Sequence, residues 1–363
     1  MNKIKIMQVI DSLTMGGAER VAVNNANAIS EAGYESYLCI TRESGPLRDF
    51  VNTDVKVLNL HKNSTLDIKS IRKLVAYIRK HEIDILHAHS TSFIVAVVAK
   101  IFTKVAVVWH DHNGNRVNLK GKINTALKYF SYFFDFVIVV NNDLYQWACQ
   151  NLSLDKSNIG YIQNYAELKF DEKEVDLAGV KGKRIVVLAN LRNPKDHMNI
   201  VQAFNSLNRS LTSSWKLLLV GEDKNDNYSD SIKSYIRENN LSEQVKILGV
   251  RSDTSMILKA CDIGVISSYY EGLPMALLEY GLASLAVIST KVGECPEVLG
   301  NGKFGLLAEA KNSDDLAEKL EIYMSSQNTR EKYSSAYHKH IQENYSKGAV
   351  LDKLVRIYTK IMK

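Results

Sequence analysis

The chain has 363 residues, 45% hydrophobic and 24% charged, with a formal net charge of +6, and a chain of that length exceeds what one core usually holds, so two domains are expected. No apolar run approaches the length that spans a bilayer, and the opening MNKIKIMQVIDSL is broken by Lys5, Gln8 and Asp11, so it reads as a first strand instead of a secretory signal and a cytoplasmic protein is expected. Cys39, Cys149, Cys261 and Cys295 are scattered, with no C-x-x-C and no histidine at metal spacing, as suits reduced, buried thiols.

The charge is uneven. Up to Tyr165, 19 basic residues face 14 acidic ones, which gives +5 and leaves +1 for the remainder. Such asymmetry suits an anionic membrane surface or an anionic substrate. Nucleic acid is not expected, because no binding motif accompanies the charge and the basic residues are not interleaved with stacking aromatics.

Ile4–Ile10 reads as a strand, and DSLTMGGAER then brings Gly16 and Gly17 just before a helix with Val21, Ala22, Asn25, Ala28, Ile29 and Ala32 on one face. A glycine pair there lets a ligand approach unpaired helix amides, and it also suits a plain turn. It is not the G-x-G-x-x-G of dinucleotide binding, which argues against a dehydrogenase. Tyr37–Ile40 and Val55–Leu60 read as strands and Leu66–His81 as an amphipathic helix. Alternating strands and helices imply a parallel, doubly wound sheet with ligands at the carboxyl ends of its strands.

Two of those ends carry histidines: Ile83–Leu86 leads into His87-Ala88-His89, and Val105–Trp109 into His110-Asp111-His112. The i, i+2 spacing could suggest a metal site, but the two side chains of each pair are expected on opposite faces of the strand, so no metal site is expected. A histidine there, with a pKa near neutrality, can donate to a sugar or phosphate oxygen. Arg116–Phe134 places Leu119, Ile123, Leu127 and Phe130 at helical spacing and leaves Lys120, Lys122 and Lys128 for anionic headgroups, which predicts a peripheral membrane contact; a basic solvated rim fits the same pattern. Phe136–Val140 and Ile159–Ile162 are further strands, and the charged run Glu167–Lys183 reads as the interdomain linker.

After the strand Arg184–Leu188 comes ANLRNPKDH, where Arg192 and Lys195 suit a diphosphate and also suit ordinary surface charge. Trp215–Val220 ends in Gly221-Glu222, and Gln244–Leu248 ends in Gly249-Val250-Arg251. The stretch Cys261–Ala283 then reads as strand, loop and helix in quick succession, with Pro274 at the first helical position. Amides of that helix start favour an anion. Glu271 lies before it and Glu279 lies one turn in, about 7.5 Å past Pro274 at roughly 1.5 Å per residue. Acids beside an anion repel phosphate, so both suit sugar hydroxyls as acceptors, although the helix dipole alone also favours acids here. Leu285–Ser289 is a buried strand, Asp314–Met324 and Thr329–Gln342 are helices, and Ala349–Met362 buries Val350, Leu351, Leu354, Val355, Tyr358 and Met362 on one stripe.

E-x7-E as Glu271 and Glu279, with EGLP inside it and Ser267-Ser268 before it, resembles the signature of family 4 retaining glycosyltransferases. The resemblance implies the GT-B fold, an α/β architecture of two Rossmann-like doubly wound domains facing across a cleft. It assigns 1–165 with a returning helix 345–363 to acceptor binding and 166–344 to the nucleotide sugar. It places Gly16 and Gly17 in a glycine-rich donor loop, makes His110 the acceptor-side histidine, and leaves His89 a structural one. Gly221, Glu222, Gly249 and Arg251 fall at strand ends beside base and donor, and the segment Gly272, Leu273, Pro274, Met275 and Ala276 at the diphosphate. Relatives often carry G-R-L-x-x-x-K, so matching on Lys195 puts Asn190 where that arginine stands and Arg192 two residues late. VGECPEVL sets Gly293, Pro296 and Glu297 where relatives have G-G-x-P-E.

The expected activity is a retaining transfer from a nucleotide sugar, UDP-linked in preference to GDP-mannose, to a lipid-linked saccharide of surface polysaccharide. Glu271, Lys195, Arg192 and His110 are its catalytic candidates. No two aspartates stand i, i+2, so no D-x-D metal site and no cofactor are expected. A GT-B epimerase and a non-catalytic nucleotide-sugar-binding subunit are the competing readings.

Overall fold

The computed structural model describes residues 4–14, 16–64, 67–113, 127–163, 165–168, 170 and 175–363. The chain divides into two compact units, Met1–Asn164 with Lys347–Lys363, and Tyr165–Ser346. Each is a parallel α/β unit, the architecture of the GT-B fold.

The first unit holds strands β1 (Lys5–Ser12), β2 (Glu35–Glu43), β3 (Lys56–Asn59), β4 (Ile85–His89), β5 (Ala106–Asp111), β6 (Phe136–Val139) and β7 (Ile159–Tyr161). They form one sheet in the order β3-β2-β1-β4-β5-β6-β7, parallel throughout. Helices α1 (Gly17–Glu31), α2 (Ile68–His81), α3 (Phe93–Ile101) and α4 (Asn142–Asn151) cover it. The central strands are buried on both faces, so they read as continuous apolar runs such as Phe136–Val139. Asp67 starts α2 by accepting from the Ser70 amide (3.1 Å), and Glu82 ends it in the left-handed region at φ +52°.

The second unit has β8 (Arg184–Leu188), β9 (Lys216–Val220), β10 (Val245–Gly249), β11 (Ile263–Ile266), β12 (Ala286–Thr290) and β13 (Leu306–Ala308) in the order β10-β9-β8-β11-β12-β13. Its main helices are α5 (His197–Ser206), α6 (Asn227–Glu238), α7 (Met275–Leu282), α8 (Ser313–Ser325) and α9 (Gln327–Asn344). The winding reverses between β8 and β11, where a doubly wound sheet leaves a crevice at its carboxyl edge.

Tyr280 of α7 fixes that crevice. It is fully buried, its hydroxyl accepts from the Leu188 amide (2.7 Å) and donates to the Val265 carbonyl (3.3 Å), and so it ties the ends of β8 and β11 together. A Cβ at Gly264 would lie 2.5 Å from the Tyr280 ring, which is why the strand needs glycine there.

The last helix, α10 (Lys347–Ile361), belongs to the first unit, with Val350, Leu354 and Tyr358 buried at i, i+4 and i+8. Met362, expected on the same stripe, is 44% exposed because the helix ends before it. Tyr280→Phe leaves the Leu188 amide without its acceptor and is expected to lower the stability of the second unit by about 1–3 kcal/mol in urea denaturation; an unchanged midpoint would show that the hydroxyl ties nothing.

Candidate active site

A cavity of about 270 Å³ lies at the carboxyl ends of β8 and β11, the point where the sheet reverses. Asn190 and Lys195 enter it from the loop after β8, Ser267, Ser268 and Glu271 from the loop after β11, and Pro274, Met275, Ala276 and Glu279 from the start of α7. The Lys195 ammonium meets a Glu271 carboxylate oxygen at 2.7 Å, and the Ser268 hydroxyl donates to the same oxygen at 2.5 Å. An ammonium has three N–H groups, so this pairing leaves the others for an anion.

The two loops are braced on each other. The Ser267 hydroxyl donates to the Lys195 carbonyl (2.9 Å), the Tyr269 amide to the Pro194 carbonyl (3.0 Å) and the Thr290 hydroxyl to the Ser268 carbonyl (2.6 Å). The Asn193–Pro194 peptide is cis. From the loop after β12, Gly293 at φ +51° packs so closely that a Cβ would lie 2.3 Å from the Glu271 carbonyl oxygen, and the next amide, of Glu294, donates to Gly272 (3.0 Å). The bracing roles of Ser268 and Thr290 leave no sequence signal beyond the serine pair itself.

Pro274, expected at the first helical position, stands one residue earlier as the N-cap of α7, with extended ψ and no side-chain cap. The free amides at the helix start are therefore those of Met275 and Ala276. The Glu279 side chain, on the inner turn, makes no hydrogen bond or ion pair among the described residues, and burial raises its pKa above the ordinary carboxylate value.

Other expected donor contacts do not line this cavity. Arg192 is exposed, and its side chain makes no polar contact among the described residues. Gly221 and Glu222 instead brace the loop after β8: a Cβ at Gly221 would lie 2.2 Å from the Ala189 carbonyl oxygen, and the Glu222 amide donates to the Asn190 side chain (2.9 Å). Asn190 thus gives its side-chain oxygen to a backbone amide while it lines the cavity. Gly249, at φ +68°, faces open space. Arg251 is held by both oxygens of Asp253 (2.8 and 2.6 Å), so its fork is occupied. Gly272 and Leu273 form the turn outside the cavity wall.

In the first unit, Gly16 is the N-cap of α1 and Gly17 its first residue, with open space beside the Gly17 Cα. The four histidines depart from expectation. Residues two apart on a strand share a face, and His87 and His89 stack with ring centroids 4.6 Å apart and planes 13° apart. They are inside β4, not beyond its end. His87 Nε2 and His110 Nδ1 are 3.1 Å apart, His89 Nδ1 and His112 Nε2 2.9 Å apart, and His110 and His112 stack at 4.1 Å. The result is two hydrogen-bonded imidazole pairs laid one on the other. His87 ends its pair on the Tyr358 hydroxyl (2.6 Å), and His89 on the Gln8 side-chain oxygen (2.8 Å).

Ring nitrogens of His87, His89 and His110 lie within 4.8 Å of one another, a spacing that a metal could use, but the near-parallel rings of His87 and His89 do not converge their lone pairs on one point. His110 is buried with Nε2 unpartnered, and burial, with its histidine neighbours, holds its pKa well below the near-neutral value expected for it. Lys128 is exposed, while Lys120 and Lys122 lie outside the described residues.

The family profile "Glycosyltransferase Family 4" matches residues 15–169, and "Glycosyl transferases group 1" matches residues 169–340. This chain belongs to the family 4 glycosyltransferases. It is 27% identical over 342 residues to an Escherichia coli UDP-Gal:alpha-D-GlcNAc-diphosphoundecaprenol alpha-1,3-galactosyltransferase, covering 88% of this chain and 87% of that one. It is 23% identical over 293 residues to a Campylobacter jejuni N,N'-diacetylbacillosaminyl-diphospho-undecaprenol alpha-1,3-N-acetylgalactosaminyltransferase, covering 76% of each. Among solved structures, a Rickettsia africae glycosyltransferase superposes with TM-score 0.81 at 20% identity over 100% of both chains. Anabaena HepE in complex with UDP superposes at 0.79 and 17% identity, over 98% of this chain and 100% of that one.

Two outcomes follow for this glycosyltransferase. Because burial raises the Glu279 pKa, its charged form opposes folding once the pH passes the ordinary carboxyl value of 4.5, so Glu279→Gln is expected to raise the melting temperature at pH 7 and to lose that gain below about pH 4.5. For the histidines the sign is opposite. Burial pushes His87 and His112 down to about 3 and His89 and His110 well below 6.5, so unfolding takes up protons as the pH falls. The first unit is therefore expected to lose stability as the pH falls below 6.5, read as acid unfolding that a His112→Gln variant makes shallower.

Proposed function

We propose that this glycosyltransferase moves a sugar from a nucleotide sugar, a UDP-sugar in preference to GDP-mannose, to a lipid-linked saccharide in surface polysaccharide assembly, with retention of configuration and without a metal. The second unit takes the donor and the first the acceptor. The observation that carries the reading is the Lys195–Glu271 pair set beside the uncapped start of α7, with the lone Glu279 carboxylate one turn deeper.

A departing nucleoside diphosphate needs its developing charge met in place. Lys195 supplies the cation and the amides of Met275 and Ala276 supply oriented donors, while Glu279 accepts from the ribose hydroxyls and Glu271 from the donor sugar. Arg192, exposed on the loop after β8, is the second cation of this reading, and His110, buried with its Nε2 unpartnered, belongs to the acceptor unit. Support for the donor comes from UDP held by HepE on this fold, and support for the acceptor from the diphosphoundecaprenol substrates named for the E. coli and C. jejuni relatives.

The test is thermal stabilisation in EDTA by UDP, GDP and ADP with and without their sugars, followed by turnover of the Glu271→Gln variant. UDP is expected to raise the melting temperature without metal, and the variant to keep UDP affinity within a few-fold while losing about 10²–10³-fold in turnover. Stabilisation by no nucleotide, or full turnover by the variant, would sink the proposal.

A further inference from the structure

On the outer surface of the first unit a groove of about 710 Å³ runs between α2 and α3, away from the strand ends. Ile68, Val75, Val98 and Phe102 give it an apolar floor, and Arg72 and Arg79, two turns apart on α2, stand over it. Ile68 is 65% exposed and Phe102 is 56% exposed. A second groove of about 560 Å³ shares Arg79 and Phe102 and continues the surface to Ile101, Lys104 and Met362. Side chains this large are seldom left in water in a contiguous band without a partner.

The charge around the band is mainly positive. α2 carries Lys69, Arg72, Lys73, Arg79 and Lys80, all exposed, and no acid. The acids at its edges are engaged: Asp67 caps α2 (3.1 Å), Glu82 pairs with the Lys5 ammonium (3.0 Å), and Asp84 accepts from the Lys5 amide (2.8 Å). Exposed apolar side chains beside a run of cations on α2, with the nearby acids engaged by α2 and Lys5, match the boundary between headgroups and acyl chains. Among the described residues no helix is long and apolar enough to cross a membrane, so such a contact lies along the surface.

We propose that the α2–α3 face docks the enzyme on an anionic lipid bilayer, with Ile68 and Phe102 entering the acyl boundary and Arg72, Lys69 and Lys80 meeting the headgroups. The proposal rests on the lipid-linked-acceptor reading for its purpose and on this face for its location. It moves the membrane contact away from 116–134, where the basic amphipathic pattern alone had put it.

The full chain is sedimented with phosphatidylcholine vesicles, with and without phosphatidylglycerol, at low and high salt. Binding is expected only with phosphatidylglycerol and is weakened by salt. I68S/R72E/F102S is expected to bind at least about tenfold more weakly, and the charge-only variant K69E/R72E several-fold more weakly. K332E/K339E, on α9 of the second unit, is expected to bind as the natural chain does. Melting with UDP confirms that each variant is folded.

Equal binding to both vesicle types, undiminished binding by K69E/R72E, or a loss confined to K120E/K122E/K128E would each overturn the assignment. Vesicle binding through this face by a chain that no nucleotide stabilises would uphold the surface and sink the transferase reading. UDP stabilisation without vesicle binding would do the reverse.

Discussion

A doubly wound parallel sheet must reverse its winding somewhere, and at that place adjacent strands send their connections to opposite faces, leaving the carboxyl edge uncovered. In the second unit the reversal falls between β8 and β11, and the cavity lined by Lys195, Glu271 and Glu279 lies there. Lys195 comes from the loop after one strand and Glu271 from the loop after the other, 76 residues apart in sequence and 2.7 Å apart in space. Tyr280 holds the two strand ends at fixed separation from inside the helix that closes the crevice, so the glycine at 264 and the tyrosine at 280 are one device.

Within the crevice the polar groups are left in an exchangeable state. A hydrogen bond to a charged group contributes about 1.5–3 kcal/mol, so an anionic ligand that replaced Glu271 on Lys195 would cost little net and would leave Glu271 open to a hydroxyl donor. Glu279 stores the opposite imbalance: it is a half-buried carboxylate with no partner among the described residues, held at a raised pKa by desolvation. A ligand that donates hydroxyls relieves that cost only when bound, which is how a site gains affinity from its own instability.

The first unit reverses between β1 and β4, and its crevice edge carries the stacked histidine pairs. Their pKa values stay low because four imidazoles packed between strands cannot be hydrated when charged, so neutral rings must satisfy one another. The chain end is bound into that arrangement. Tyr358 of α10 terminates the His87 pair, and Lys360 donates to the Ser157 carbonyl and the Asn158 side chain (2.6 and 2.9 Å), which ties the last helix to the first unit.

The sequence by itself determined the class of fold, because parallel strands buried on both faces must be continuous apolar runs and their crossover helices must be amphipathic. β8 was legible to the residue and the start of α7 to within one, and so was the family, since E-x7-E with EGLP compresses a turn and a helix start into nine consecutive residues. Only tertiary structure decided which charges meet in the crevice. Arg251 and Lys195 look alike in sequence, yet one is gripped by its neighbour Asp253 and the other lines the cavity opposite Glu271. Likewise the basic face of α2 is visible as a pattern, while the groove beside it exists only because α3, a helix too apolar to show an amphipathic period, packs alongside. Local spacing fixes what a segment becomes. Partners are settled by which loops the sheet brings together, and that depends on every strand in the order.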